Sequence, residues 1–413
     1  MNSSIEPARN IPQLRFPEFE GEWNNVLLED IAQRGSGHTP NKNHPEYYNG
    51  NIPWVSLADS NKLDEGYIEN TKTKITIDGI KHSSAVLHPK ESVILSRDAG
   101  IGKSAVLKYE MAVSQHFIVW LGKNGQLDNW FLYYKLQILK PEFERIAIGN
   151  TIKTIGLPYF KKLRFFLPLL KEQQKIATFL RTLDEKLTAL KQKKNLLEQY
   201  KKGIMQKLFS QELRFKDENG KEFTKWEKKK LGEVFYSEKG KGISKNKVVE
   251  NGKYECVLYG ELYTKYNEVI FDIKSRTNEG DGIKSKIGDL LIPSSTTTTG
   301  IDLANVTALN KNDILLGGDI TVLRSNEKIN NIFYAYYLSN HKKDEIASFA
   351  QGSTIVHLYF SHIKDMDIDL PCLPEQTKIA SFISFIDEKI NFTENQIQQT
   401  EQYKKGLLQI MFC

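Results

Sequence analysis

The chain is written twice. Residues 167–210 read LPLLKEQQKIATFLRTLDEKLTALKQKKNLLEQYKKGIMQKLFS, and residues 370–413 read LPCLPEQTKIASFISFIDEKINFTENQIQQTEQYKKGLLQIMFC; the two align without a gap at an offset of 203. Glu172-Gln173 maps to Glu375-Gln376, Asp184-Glu185-Lys186 to Asp387-Glu388-Lys389, and the run EQYKKG (198–203) recurs at 401–406. The same offset extends outside these segments, pairing Trp23 with Trp226, Leu28 with Leu231, Gly149 with Gly352 and Tyr133-Tyr134 with Tyr336-Tyr337. Leu14-Arg15-Phe16 resembles Leu213-Arg214-Phe215 at an offset of 199. Self-similarity over this length means one structural unit built twice. It divides the chain into a globular region (1–166), a helix (167–210), a second globular region (211–369) and a second helix (370–413). Each globular region is a comfortable size for one domain.

The repeated segments carry a heptad seam. In the first, Ile176, Leu180, Leu183, Leu187, Leu190 and Leu197 alternate spacings of three and four with a few polar interruptions; in the second, Ile379, Ile383, Ile386, Ile390, Ile397 and Leu407 do the same. Such spacing predicts helices that bury one stripe, and Pro168, Pro371 and Pro374 mark natural starts. At 1.5 Å per residue each runs for roughly 48 Å. Between 171 and 208 lie ten Lys/Arg and four Asp/Glu, whereas from 374 onward there are four Lys and five acids, so the helices suit each other as partners. The simplest pairing within one chain is antiparallel, with the globular regions at opposite ends and an approximate two-fold axis. A dimerisation seam or a structural stalk explains the same pattern, and the lysines equally make a solvated face.

Both globular regions are rich in β-branched and aromatic residues punctuated by Gly, Asn, Asp and Thr. Strands are expected at Ser92–Leu95, Ala105–Lys108, Phe117–Leu121, Asp289–Ile292 and Ile320–Leu323, and helices at Asn129–Ile138 and Ile332–Ser339. The fold class is α+β, each globular region a mixed domain with a curved sheet. The polar loops are 35–44, 96–103, 114–116 and 150–154 in the first region, and 239–247, 259–266, 294–299 and 351–357 in the second. They combine cations, which suit phosphates, with amides and hydroxyls, which suit base edges. On loop placement and side-chain type the candidates for DNA contact are His38, Thr39, Lys42, Arg97, Lys103, Gln115, His116 and Lys153 in the first region. In the second they are Lys241, Lys245, Tyr259, Lys265, Ser294 and Thr296. For any single one of them, a polar loop that is simply wet is an adequate account.

Sites for other chemistry are not found. GIGKS (100–104) looks like the end of a phosphate-binding loop, but the required earlier glycine is Arg97 and a strand, not a helix, is expected to follow. The eight histidines and three cysteines (Cys256, Cys372, Cys413) never fall into metal-ligand spacing. Asp184-Glu185 and Asp387-Glu388 read as solvated or partner-facing rather than as an acid/base pair. Three cysteines cannot all pair within one chain, which fits a reduced, cytosolic compartment. The first ten residues do not read as a signal peptide, and no stretch approaches the length of a membrane span. A net charge of +6 is a mild basic bias that alone says little about nucleic acid.

The alternation of globular region and helix, the openings LPLLKEQQKIA and LPCLPEQTKIA, and the closings EQYKKGIMQKLF and EQYKKGLLQIMF together resemble the specificity subunit of type I restriction–modification systems. The segments 37–59 and SRDAGIGKSAV (96–106) look like parts of that family's target recognition domains, as do YGELYTKY (259–266) and QGSTIVHL (351–358). The resemblance implies a non-catalytic, DNA-binding subunit: two target recognition domains joined and spaced by two long antiparallel coiled-coil helices. Each domain would read one half of a bipartite double-stranded DNA site. The helices would set the spacer and dock two methyltransferase subunits acting on adenine, and two ATP-dependent motor-nuclease subunits would join. It implies no cofactor on this chain, with S-adenosylmethionine, ATP and magnesium on the partners, and no membrane. The rivals are an adaptor that binds proteins through the same loops and an enzyme with an unrecognised site.

Overall fold

The computed structural model describes residues 10–123, 125–149 and 153–413; the first nine residues, and 150–152 of the loop expected at 150–154, lie outside them. Four helices carry the organisation of the chain: α1 (Asn129–Ile146), α2 (Leu170–Phe209), α3 (Asn331–Tyr336) and α4 (Leu373–Ile410). The chain forms two compact units, Met1–Gln192 with Glu394–Cys413, and Lys193–Thr393. These cut across the four-segment division, because each unit takes the opening turns of one long helix and the closing turns of the other.

In unit 1 a five-stranded sheet runs in the order Ala32–Ser36, Phe117–Gly122, Val93–Ser96, Ser104–Leu107, Tyr67–Ile68, antiparallel except for the last pair. A four-stranded sheet runs Thr73–Ile75, Tyr48–Val55, Met111–Val113, Leu87–His88. The strands Val93–Ser96 and Ser104–Leu107 are buried at every position and, apart from the terminal Ser96 and Ser104, are apolar, as strands covered on both faces are. Val93, Leu95, Val106, Ile118 and Trp120 face one core, with α1; Ile94, Ala105, Leu107, Phe117 and Val119 face the other. Successive side chains of a strand point to opposite faces, so one sheet separates two cores. The strand Ser104–Leu107 begins at the last residue of GIGKS, where a phosphate-binding loop needs a helix. Unit 2 repeats the plan: Phe235–Lys239, Ile320–Ser325, Asp289–Pro293, Thr307–Leu309, Val269–Ile270 in one sheet, and Ser275–Thr277, Tyr254–Val257, Leu315–Leu316, Ile283–Lys284 in the other.

The long helices correct the expected seam in part. Ile176, Leu180 and Leu407 are buried in the globular core of unit 1, beside Phe131 and Tyr133. Ile379 and Ile383 are buried in the core of unit 2 beside Phe333 and Tyr337. These positions serve the globular regions. Leu183 packs against the unit 1 core, Leu187, Ile386 and Ile397 are buried, and Leu190, Leu197 and Ile390 are half-buried. Within unit 1, Lys191 pairs with Glu401 at 2.8 Å and Asp184 pairs with Lys404. The numbers rise on α2 as they fall on α4, so the two helices run antiparallel there. In unit 2 the counterpart is Lys201 with Asp387 at 2.8 Å. The recurrence of DEK and EQYKKG is therefore one ion pair made twice.

The structure also corrects the register at the tyrosine pairs. Asp128 caps α1 by accepting from Phe131 N–H, and Asn330 caps α3 by accepting from Phe333 N–H. The amide oxygens of Gln173 and Gln376 accept from the backbone of those two caps, both at 2.8 Å. The caps lie 202 apart, not 203. Tyr134 accordingly matches Tyr336, each donating to the helix aspartate, Asp184 at 2.7 Å and Asp387 at 2.5 Å. The π-helical turn Tyr337–His341 after α3 inserts the residue that restores the offset before Gly352, as such bulges do.

Candidate nucleic-acid interface

In unit 1 four polar loops converge where the strands end. The backbone sets the frame: Arg97 N–H donates to His116 O (3.0 Å), Ile155 N–H to Arg97 O (2.9 Å), Ser114 N–H to Val55 O (2.8 Å) and His38 N–H to Val113 O (3.0 Å). Gly37 is required at this crossing, since a Cβ there would stand 2.1 Å from Val113 O. On the frame sits a buried carboxylate, Asp98. It accepts from His116 Nδ1 at 2.6 Å and from the Thr154 hydroxyl. The Thr39 hydroxyl donates to the Gln115 side-chain oxygen, and Arg97 Nε donates to Gln115 O at 3.4 Å. Thr39, Lys42, Gln115 and His116 line one cleft of about 630 Å³ with Tyr48, Trp54 and Ser114. Tyr48 and Trp54 shape that wall by donating to Pro40 O and His38 O. Ser114 Oγ is buried without a partner among the described residues.

Unit 2 builds the same frame with other side chains. Ser294 N–H donates to Asp319 O (2.8 Å), Leu358 N–H to Ser294 O (3.0 Å), Gly317 N–H to Val257 O (2.9 Å) and Lys241 N–H to Leu316 O (3.1 Å). Gly240 takes the role of Gly37, a Cβ there meeting Gly317 O at 2.0 Å. By these bonds Arg97 corresponds to Ser294, Asp98 to Ser295, Gln115 to Gly318 and His116 to Asp319. Even the side-chain bond across the frame persists, as Ser295 Oγ donating to Asp319 at 3.2 Å.

Two expectations need correction. Ser294 and Thr296 are 1% and 2% exposed. The run SSTTTT is not an open loop at its start: Ser295–Thr296 pairs as a strand with Val356–His357, and Ser294 shares a hydrogen bond with Thr321. Lys265 is engaged with Glu261 at 2.6 Å. Lys103 donates to Ser60 O and, with Lys153, lines a different cleft alongside Lys140 and Glu144. His38, Lys42, Lys241, Lys245 and Tyr259 are exposed. Sequence reasoning missed Asp98 and Thr154, whose part is only legible once three loops are seen to meet. Beside the frame, His88 is buried and its Nε2 donates to Ser36 O at 3.2 Å; burial lowers its pKa, partly offset by that bond.

The sequence matches the model of the type I restriction modification DNA specificity domain twice, over residues 20–199 and 224–402. The chain belongs to that family. It is 27% identical over 407 residues to the type I restriction enzyme MjaIX specificity subunit of Methanocaldococcus jannaschii, covering 94% of this chain and 92% of that one. The MjaVIII specificity subunit of the same organism is 25% identical over 430 residues, covering 98% and 95%. The fold is that of the crystal structure of the type I restriction–modification S subunit from M. genitalium, with a TM-score of 0.63 at 18% identity, covering 98% and 99%. The two matched ranges are the two copies of the repeat, so each copy is one specificity domain. Among the described residues no helix is long and apolar enough to cross a membrane.

Proposed function

We propose that this chain is the non-catalytic DNA-reading subunit of a type I restriction–modification complex, and that each unit reads one half of a bipartite, asymmetric double-stranded DNA site. The observation that carries this reading is the repeated frame. Four backbone hydrogen bonds recur in the two units while the side chains displayed on them differ. A reader of a split site needs such a scaffold: common geometry for approach, separate chemistry for each half-site. The long helices are assigned to fixing the spacer, as protein geometry fixes half-site spacing in dimeric readers, and to carrying two methyltransferase subunits that modify adenine. Two ATP-dependent motor-nuclease subunits complete the assembly. S-adenosylmethionine, ATP and magnesium belong to those partners, and the reduced cytoplasm is the expected compartment.

The test is co-expression with the host's methyltransferase subunit in a methylation-free strain, followed by mapping of modified adenines across the genome. One split motif with a fixed spacer supports the reading. Failure of the two proteins to associate, with no methylation, sinks it and favours an adaptor, which would show none of the steep salt dependence of phosphate binding.

A further inference from the structure

We propose that Arg97 is the residue by which unit 1 selects a guanine, and that Asp98 is a positioning residue that turns His116 toward the neighbouring base. The inference rests on the DNA-reading function above and names the side chains that do the reading.

The guanidinium is held at one end only. Its Nε donates to Gln115 O at 3.4 Å, while both main-chain polar groups of Arg97 are locked into the frame. The terminal nitrogens, Nη1 and Nη2, have no partner among the described residues. A planar fork aimed by its Nε and left open at its tip matches the O6/N7 pair of guanine in the major groove. His116 is prepared in a complementary way. A carboxylate only accepts, so the bond to Asp98 fixes the ring proton on Nδ1. In its neutral form the ring then presents Nε2 as an acceptor, which suits the amino group of adenine or cytosine. Asp98 is itself nine-tenths buried and held from the other side by Thr154, so it acts through His116 rather than on DNA.

Unit 2 supplies the internal contrast. At the position of Arg97 stands Ser294, buried against Thr321. At that of His116 stands Asp319, a carboxyl side chain in place of the imidazole. The same frame is therefore unable to make an arginine–guanine contact in the other half-site, and the asymmetry of the site originates at these positions.

The experiment uses the full chain in complex with the methyltransferase subunit and maps the methylated motif for the wild type, Arg97→Lys and Asp98→Asn. The wild type is expected to give a split motif. Arg97→Lys should relax one guanine in one half by about 10- to 100-fold in preference, leaving the other half and the spacer unchanged. Asp98→Asn should alter the base next to it in the same half, again without touching the other half, which a general loss of folding would not do. A wild-type complex without a motif defeats the DNA-reading function itself. With that motif in place, an Arg97→Lys map identical to wild type, or one in which all sites weaken together, overturns the assignment and leaves Arg97 a scaffold or phosphate contact.

Discussion

Lys201 shows what one residue of the repeat does. It lies 3.0 Å from Glu268 and 2.8 Å from Asp387, all three largely buried. Burial alone would lower its pKa, but the two carboxylates outweigh it and hold the ammonium above its usual range. Burial would raise Glu268, yet Lys201 brings it below its ordinary 4.5, while for Asp387 burial wins and the carboxyl is raised. Lys201→Met strands two carboxylates and is expected to destabilise unit 2 by about 3–5 kcal/mol. Freed of the lysine, both buried carboxyls titrate above their wild-type values and protonate earlier on acidification, so the deficit should begin to shrink above pH 4.5 and go on shrinking as pH falls through the carboxyl range. Urea unfolding at several pH values measures it, and a deficit that stays constant would disprove the pairing. His88 gives the opposite case in unit 1. Its folded pKa is depressed, so the unfolded chain binds the proton more readily, and stability present above pH 6.5 is lost as pH falls. His88→Gln should flatten that acid loss in thermal melts of the full chain.

At the scale of elements, the loops are placed by the strands they leave. Gly37→Ala puts a Cβ onto Val113 O and must push the 37–44 loop off the sheet edge; a cost of about 1–3 kcal/mol is expected. Thr39 would separate from Gln115 with it, so discrimination in one half-site should fall while the other half is kept, a result the methylation map reads directly. The strands themselves were legible in the sequence. Val93–Ser96, Ser104–Leu107 and Phe117–Gly122 fall within a residue of expectation, because strands buried on both faces are continuous apolar runs. The long helices were legible from their period, but their seam was only half so. Heptad spacing shows that one stripe is buried and not what buries it, and for Ile176, Leu180, Ile379 and Ile383 the answer is a globular core. The site was the least legible part. Asp98 bonds to His116 and Thr154 across 18 and 56 residues, and no local pattern announces contacts that depend on three loops meeting. Ser294 and Arg97, nominated for the same reason, occupy one position on two copies of the frame, one buried and the other open.

For the molecule as a whole, a net charge of +6 is too small for the overall field to supply most of the attraction to DNA, so affinity must come from cations placed locally on the loops. Two kinds of residue should then separate in binding measurements. Lys42 is exposed on the cleft rim and fits a phosphate, a contact with no sequence content. Lys42→Ala should weaken binding of the assembled complex to every duplex and reduce the slope of log K against log salt by about one. The methylated motif should stay as it is. Arg97→Lys keeps the charge and should do the reverse, leaving the salt slope and changing the motif. Fluorescence anisotropy on cognate and scrambled duplexes across a salt series resolves the two. If Lys42→Ala shifts a base preference instead, Lys42 itself reads sequence, and the division between cations that position and side chains that specify fails in unit 1.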